Sequence, residues 1–138
     1  MTEAQRKQFF EIRKALDRFV MKIADNPGEI NTNMAILCQW KPGVHVAGDV
    51  CMFNGIPRYC KQSHDSTNNP EWTPDAEKAL WGIYHGTTPE TAREFEADSA
   101  NAYKVGEYAM ENGKVYLNNY DGNVYAPSVL PERWMLVE

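Results

Sequence analysis

Apolar residues within positions 3–24 fall at Phe9, Ile12, Leu16, Phe19 and Ile23, in steps of three, four, three and four. That spacing predicts a helix with a single apolar seam. Phe10, Ala15 and Val20 widen the stripe, while Glu11, Lys14, Arg18 and Lys22 take the opposite face. Pro27 and Gly28, within "DNPGE", are expected to end the helix. The seam is about three heptads long, too short for a free-standing coiled coil. It suits packing onto its own chain or joining copies into an oligomer, and periodicity does not choose between the two.

The pattern changes at "QWKPG", residues 39–43, after which short β-like runs alternate with turn residues. All four Trp and all seven Tyr lie from Trp40 onward. Two phrases there nearly coincide: "GDVCMFNG" at 48–55 and "GEYAMENG" at 106–113. Each has an acid after its first Gly, then a Met and an Asn-Gly pair. Asn and Gly tolerate positive φ, so Asn54-Gly55 and Asn112-Gly113 predict two tight hairpins. Their strands would cover 49–53 and 107–111, then 58–62 and 114–118. Pro57 predicts an irregular start to the second strand of the first hairpin, in the form of a bulge.

The likeness runs further. "WTPDAEKALW" at 72–81 and "YAPSVLPERW" at 125–134 each place an aromatic, a Pro two residues on, and a Trp nine residues on. A one-residue slip aligns Tyr59 with Tyr116, and Val44 falls near Tyr103. The unit is a repeat of about 40 residues. The expected organisation is a helix and linker at 1–39, one repeat at 40–84, a polar connector with one helical turn at 85–98, and a second repeat at 99–138. The fold class is therefore mainly β with an N-terminal α-helix, carrying two small three-stranded antiparallel β modules in tandem. Modules this small bury little apolar surface and lean on a few large rings. Trp81 and Trp134, which close the copies, are the expected keystones.

Charge and cysteine usage narrow the function. The net charge is −5, which lacks the basic stripe that nucleic acid requires. No apolar run approaches the roughly 20 residues of a membrane helix, and the charged start "MTEAQRKQFFEIRK" does not read as a secretory signal. Three cysteines, Cys38, Cys51 and Cys60, make a poor disulfide framework. Cys51 and Cys60 flank one hairpin, so a cross-strand bridge stands against the favoured reading of reduced core thiols. His64 follows Cys60 by four, with His45 and Cys51 as neighbours, yet no paired short spacing suggests a metal site. No metal and no cofactor are expected. Asp49 and Glu107 recur after a Gly at a strand start, where a carboxylate accepts turn N–H groups. That placement, without an evident cleft for a carboxylate pair, points to a non-catalytic chain.

These residues together resemble the chitin-binding type-3 fold, the carbohydrate-binding module families five and twelve. "WKPGVHVAGDVCMFNGIPRYCKQSHDSTNNPEWTPDAEKALW" resembles the family order: a Trp, an extended stretch, Tyr-x-x-Gly-Asp, a Val, an Asn-Gly turn, a Tyr, and a closing Pro and Trp. "YKVGEYAMENGKVYLNNYDGNVYAPSVLPERW" is a looser second match. The version with "QSH", "WTP" and "LW" is similar to modules of bacteriophage and prophage tail-associated proteins, which also carry a short N-terminal helix. The resemblance implies small antiparallel modules that hold polysaccharide by stacking exposed rings on the C–H faces of sugars. It assigns Trp40, Tyr59, Trp81, Tyr116 and Trp134 to structure. Adjacent aromatics of the sugar-binding members are replaced here by Lys61-Gln62-Ser63-His64 and by Asn118-Asn119-Tyr120. Candidate sugar contacts are therefore Tyr120 and Tyr125 in the second copy, and Trp72 and His64 in the first. A plug that seals its own module is the other role for Trp72, and the slightly favoured one. Implied partners are a cell-surface or wall polysaccharide, phage structural proteins, and further copies of the chain through the helix. The implied location is the virion, or the cytoplasm before particle release. The alternative is a structural spacer or protein-docking subunit without sugar binding.

Overall fold

The computed structural model describes residues 1–137. The chain is mainly β behind an N-terminal helix, and it forms two compact units, Met1–Gly82 and the remainder from Ile83.

The first unit opens with α1 (Glu3–Ile23). Its start is fixed by a reciprocal cap: the Thr2 hydroxyl accepts the Gln5 N–H, and the Gln5 side chain accepts the Thr2 N–H. The "DNPGE" stretch does more than stop α1. Asn26 caps a second short helix, α2 (Pro27–Thr32), and Pro27 occupies its first turn, where an N–H has no helical partner to lose. Val20 of α1 is buried, and Arg13 reaches across to the Ile36 carbonyl at 2.8 Å. Phe9, Phe10, Ile12, Phe19 and Met21 remain exposed.

The β part of this unit holds β1 (Val44–His45), paired with β4 (His64–Asp65), and a sheet in the order β2 (Val50–Phe53), β3 (Ile56–Cys60), β5 (Trp81–Ile83). The second unit has one sheet in the order β6 (Arg93–Glu94), β7 (Tyr108–Glu111), β8 (Lys114–Asn118), β9 (Trp134–Val137). The hairpins β2–β3 and β7–β8 share one register: Val50 faces Tyr59 as Tyr108 faces Leu117, and Phe53 faces Ile56 as Glu111 faces Lys114. Asn54 and Gly55 have φ of 51° and 73°, Asn112 and Gly113 of 53° and 76°. Both positive values in each turn are the reason for Asn-Gly. The carboxylates after the paired glycines do equal work. Asp49 accepts the Val46 N–H at 2.8 Å, and Glu107 accepts the Lys104 N–H at 2.7 Å.

The shared register corrects three expectations. Tyr59 corresponds to Leu117, without a slip, and Tyr116 corresponds to Arg58. Successive strand residues face opposite sides, so the two tyrosines point in different directions. Tyr116 packs on the core of its unit, whereas a Cβ at Gly82 would overlap the Tyr59 ring. His45, not Val44, stands where Tyr103 stands, three residues before the paired Gly. Pro57 sits in regular register opposite Met52, with no bulge. Met52 directs its own N–H and carbonyl away from β3, to Cys38 and Trp40, so the strand needs no hydrogen bond from position 57.

The segment read as a connector also differs. It contains the expected single turn, Pro89–Thr91, but then supplies β6, which pairs parallel to β7. The first unit has the same feature in miniature, a parallel bridge between Gln39 and Met52. The Phe95 N–H bonds the Met110 carbonyl at 2.9 Å as the Trp40 N–H bonds the Met52 carbonyl at 2.8 Å. Phe95 is thus the counterpart of Trp40, hidden from the sequence because the two sit on unlike stretches.

Three rings make the same chain of contacts in each core. Trp40 stacks on His45 at an interplanar angle of 14°, and His45 meets Trp81 edge-on at 76°. Phe95 stacks on Tyr103 at 14°, and Tyr103 meets Trp134 at 71°. Offset stacks and edge contacts suit the ring quadrupole, adding about 0.5–1.5 kcal/mol per pair beyond burial. Cys51, Cys60 and Leu80 fill the first cluster, and Ala109 and Tyr116 the second. All three cysteines are unpaired thiols. Burial pushes the Cys51 thiol up to about 12, with Arg58 pulling it partly back.

Two outcomes follow from these cores. Trp81→Ala and Trp134→Ala should each lower stability by roughly 3–5 kcal/mol in chemical denaturation, the range for losing a buried aromatic. In the second unit His85 stacks on Tyr103 at 3.7 Å and donates from Nε2 to the Asn101 carbonyl at 2.7 Å. Burial pushes its pKa down from 6.5 to about 4. The unfolded chain therefore binds that proton more tightly. The stabilisation is complete above about pH 6.5 and is lost as pH falls toward about 4, a change of about 3 kcal/mol. Denaturation midpoints measured from pH 7 to 4.5 should fall for the parent chain. They should fall less steeply over that range for His85→Phe, which keeps a ring on Tyr103 but does not titrate.

Candidate functional site

The end of β8 and the loop after it set up a surface in the second unit. Asn118 closes β8 and is buried. Its amide donates to the Tyr120 carbonyl at 2.7 Å, and its side-chain oxygen accepts the Tyr120 N–H at 3.3 Å. That oxygen also accepts from the buried Asn123 amide at 2.8 Å. Asn123 in turn accepts the Tyr125 N–H at 3.0 Å, and the Trp134 indole donates to the Tyr125 carbonyl at 2.8 Å. Two buried asparagines and the keystone indole thus hold the backbone at both tyrosines. Short polar side chains bond nearby backbone readily, which is why this loop is rich in Asn.

The side chains emerge around one cation. Tyr120 and Tyr125 are each 46% exposed. The Arg133 guanidinium carbon lies 3.5 Å from the Tyr120 ring centre and 5.5 Å from that of Tyr125. Arg133 ends the turn Pro131–Arg133 that leads into β9, and its backbone carbonyl accepts the Asn119 N–H at 2.9 Å. The two tyrosines chosen from sequence are therefore brought together. Arg133, Asn118 and Asn123 are additions that ring-counting misses. The signal for the two asparagines was present in "NNYDGNVY".

The matching positions in the first unit are different. Gln62, Trp72 and Leu80 stand where Tyr120, Tyr125 and Arg133 stand. The Gln62 amide donates to the Ala79 carbonyl at 3.1 Å, and Leu80 packs inward on Trp81 and its neighbours. Trp72 is half-exposed on its loop. His64 turns into the core cluster: it lies edge-on to Trp81 at 88° and 5.4 Å from His45. Its Nδ1 bonds the Gln62 carbonyl at 2.7 Å, so Nδ1 carries the proton, while Nε2 is buried without a hydrogen bond. Trp72, more buried than Tyr120 or Tyr125, is the ring that this face offers.

Other chemistry has little to work with. Among the described residues no three His, Cys, Asp or Glu side chains converge as a metal site, and no helix is long and apolar enough to cross a membrane. Among the described residues Glu107 is the one buried carboxylate, with its pKa raised by burial and partly restored by the Lys104 N–H. It lies under a turn, engaged with backbone. Compared with known family models and with curated proteins, the chain matches none.

Proposed function

We propose that this chain is a non-catalytic, polysaccharide-binding component of a phage or prophage tail, with its sugar contact on the second unit. The observation that carries the glycan reading is the pair Tyr120 and Tyr125, half-exposed and both against Arg133. Pyranose rings present apolar C–H faces that stack on such rings, and fixed polar groups nearby bond the hydroxyls. The asparagine clamps reduce the entropy lost on binding, since the loop is already ordered. The tail assignment draws on the resemblance of the two repeats and the leading helix to tail-associated modules. One working face per chain gives weak binding, which copies linked in a particle would raise by avidity.

Binding of the full chain across a polysaccharide array tests this reading. Tyr120→Ala and Tyr125→Ala should each weaken retention roughly two- to tenfold, from about 0.5–1.5 kcal/mol per ring contact, with circular dichroism unchanged. Failure to bind any polysaccharide, even as a linked multimer, would overturn it.

A specific observation favours a second reading, a docking subunit assembled through α1. Phe9, Ile12 and Phe19, set on one face of α1 by their spacing, are exposed, while Val20 beside that face is buried. The occupant of that face in this reading is α1 of another copy, as its three-four spacing suits a helical partner. Sedimentation should then show an oligomer that Phe9→Glu with Phe19→Glu converts to monomer. A monomeric parent chain at tens of micromolar would sink the idea.

A further inference from the structure

We infer that the saccharide held at Tyr120, Tyr125 and Arg133 is acidic, a sugar that carries a carboxylate or a phosphate. The inference rests on the glycan reading above and specifies its ligand.

Arg133 is the ground for it. Arg13 donates to Asp17 and to the Ile36 carbonyl, Arg58 to Asp75 and the Phe53 carbonyl, and Arg93 to the Tyr84 carbonyl. Among the described residues the Arg133 guanidinium has ring contacts alone, with neither a hydrogen bond nor an ion pair. Two acids of its own unit are committed elsewhere. Asp121 accepts the Val105 N–H at 2.8 Å, and Glu111 accepts the Ser128 N–H and hydroxyl at 3.0 and 3.1 Å. The planar cation is therefore held by its face, and its N–H edges are unspent. A guanidinium edge matches a carboxylate or phosphate with two parallel charge-assisted bonds. A neutral sugar offers those donors uncharged hydroxyl oxygens, which make weaker bonds than an anion. The tyrosines beside it supply the apolar side of the same recognition, stacking the ring that bears the anion.

The first unit sharpens the point. Its counterpart of Arg133 is Leu80, which folds inward, so structure alone does not require a cation at this position. The charge is particular to the face that also has two exposed tyrosines. The net charge of −5 opposes an anionic polymer at long range, so the local fork, and not general attraction, must carry the preference.

The test is titration calorimetry on the full chain with three probes: oligogalacturonate, its carboxyl-reduced neutral form, and a phosphomannan oligosaccharide. At least one acidic probe should bind tenfold or more tighter than the neutral oligosaccharide, and the tighter of the two identifies the anion. Added salt should narrow the gap. Arg133→Leu, which installs the residue of the first unit, should abolish the gap and leave weak residual binding to the neutral probe. Arg133→Lys keeps the charge without the planar fork and should retain only part of it, which covers the case in which the leucine variant does not fold. Equal affinity for neutral and acidic probes, or an unchanged ratio in the Arg133 variants, overturns the inference while the glycan reading stands. No binding to these probes or to any polysaccharide array overturns both.

Discussion

The edge-on contact between a closing tryptophan and the ring three residues before the paired glycine is the constraint on which each unit depends. Without disulfides, and with short strands, the β sheets leave few large side chains to bury. Trp81 and Trp134 are nearly inaccessible, and each is approached at a similar angle by His45 or Tyr103. That geometry fixes where the last strand crosses the hairpin. The carboxylates of Asp49 and Glu107 then hold the arch that carries the second ring. Change the tryptophan, and the hairpin has nothing large to close against.

The two units keep this frame and spend their differences at its rim. Polar satisfaction is one difference. The Trp134 indole N–H has the Tyr125 carbonyl, while the indoles of Trp40 and Trp81 are buried without a hydrogen bond. An unmet buried donor costs on the order of 1–3 kcal/mol. The first unit adds the pair Arg58 and Asp75, at 2.8 Å, where the second has Tyr116 and Ser128. The second unit spends its asparagines on the loop that presents Tyr120 and Tyr125. A rigid display of two rings and a cation is the outcome in one unit, and a closed surface with one half-exposed ring in the other.

Much of this was legible in the amino-acid order. The Asn-Gly turns, the paired carboxylates, the closing tryptophans and the amphipathic helix are local signals with local causes, and each appears where those causes put it. What sequence did not show was non-local. Phe95 matches Trp40 only because both donate to the carbonyl of a Met in the next strand. Tyr59 and Tyr116 look equivalent until the register shows them on opposite faces. Arg133 is separated from Tyr120 in sequence, and nothing about an Arg before a Trp announces a stacked guanidinium. The parallel strand Arg93–Glu94 is two residues long, too short for any period to declare itself.

The register also bears on how such a chain avoids misfolding. Two similar hairpins in tandem invite each closing strand to pair with the wrong one. Position by position, however, the partners are of complementary bulk: Tyr59 covers Gly82, whereas Leu117 faces Met135. An exchanged pairing would set Tyr59 beside Met135 and leave Gly82 under the shorter Leu117. The close fit of Tyr59 over Gly82, which the second sheet does not repeat, thus favours correct over crossed assembly.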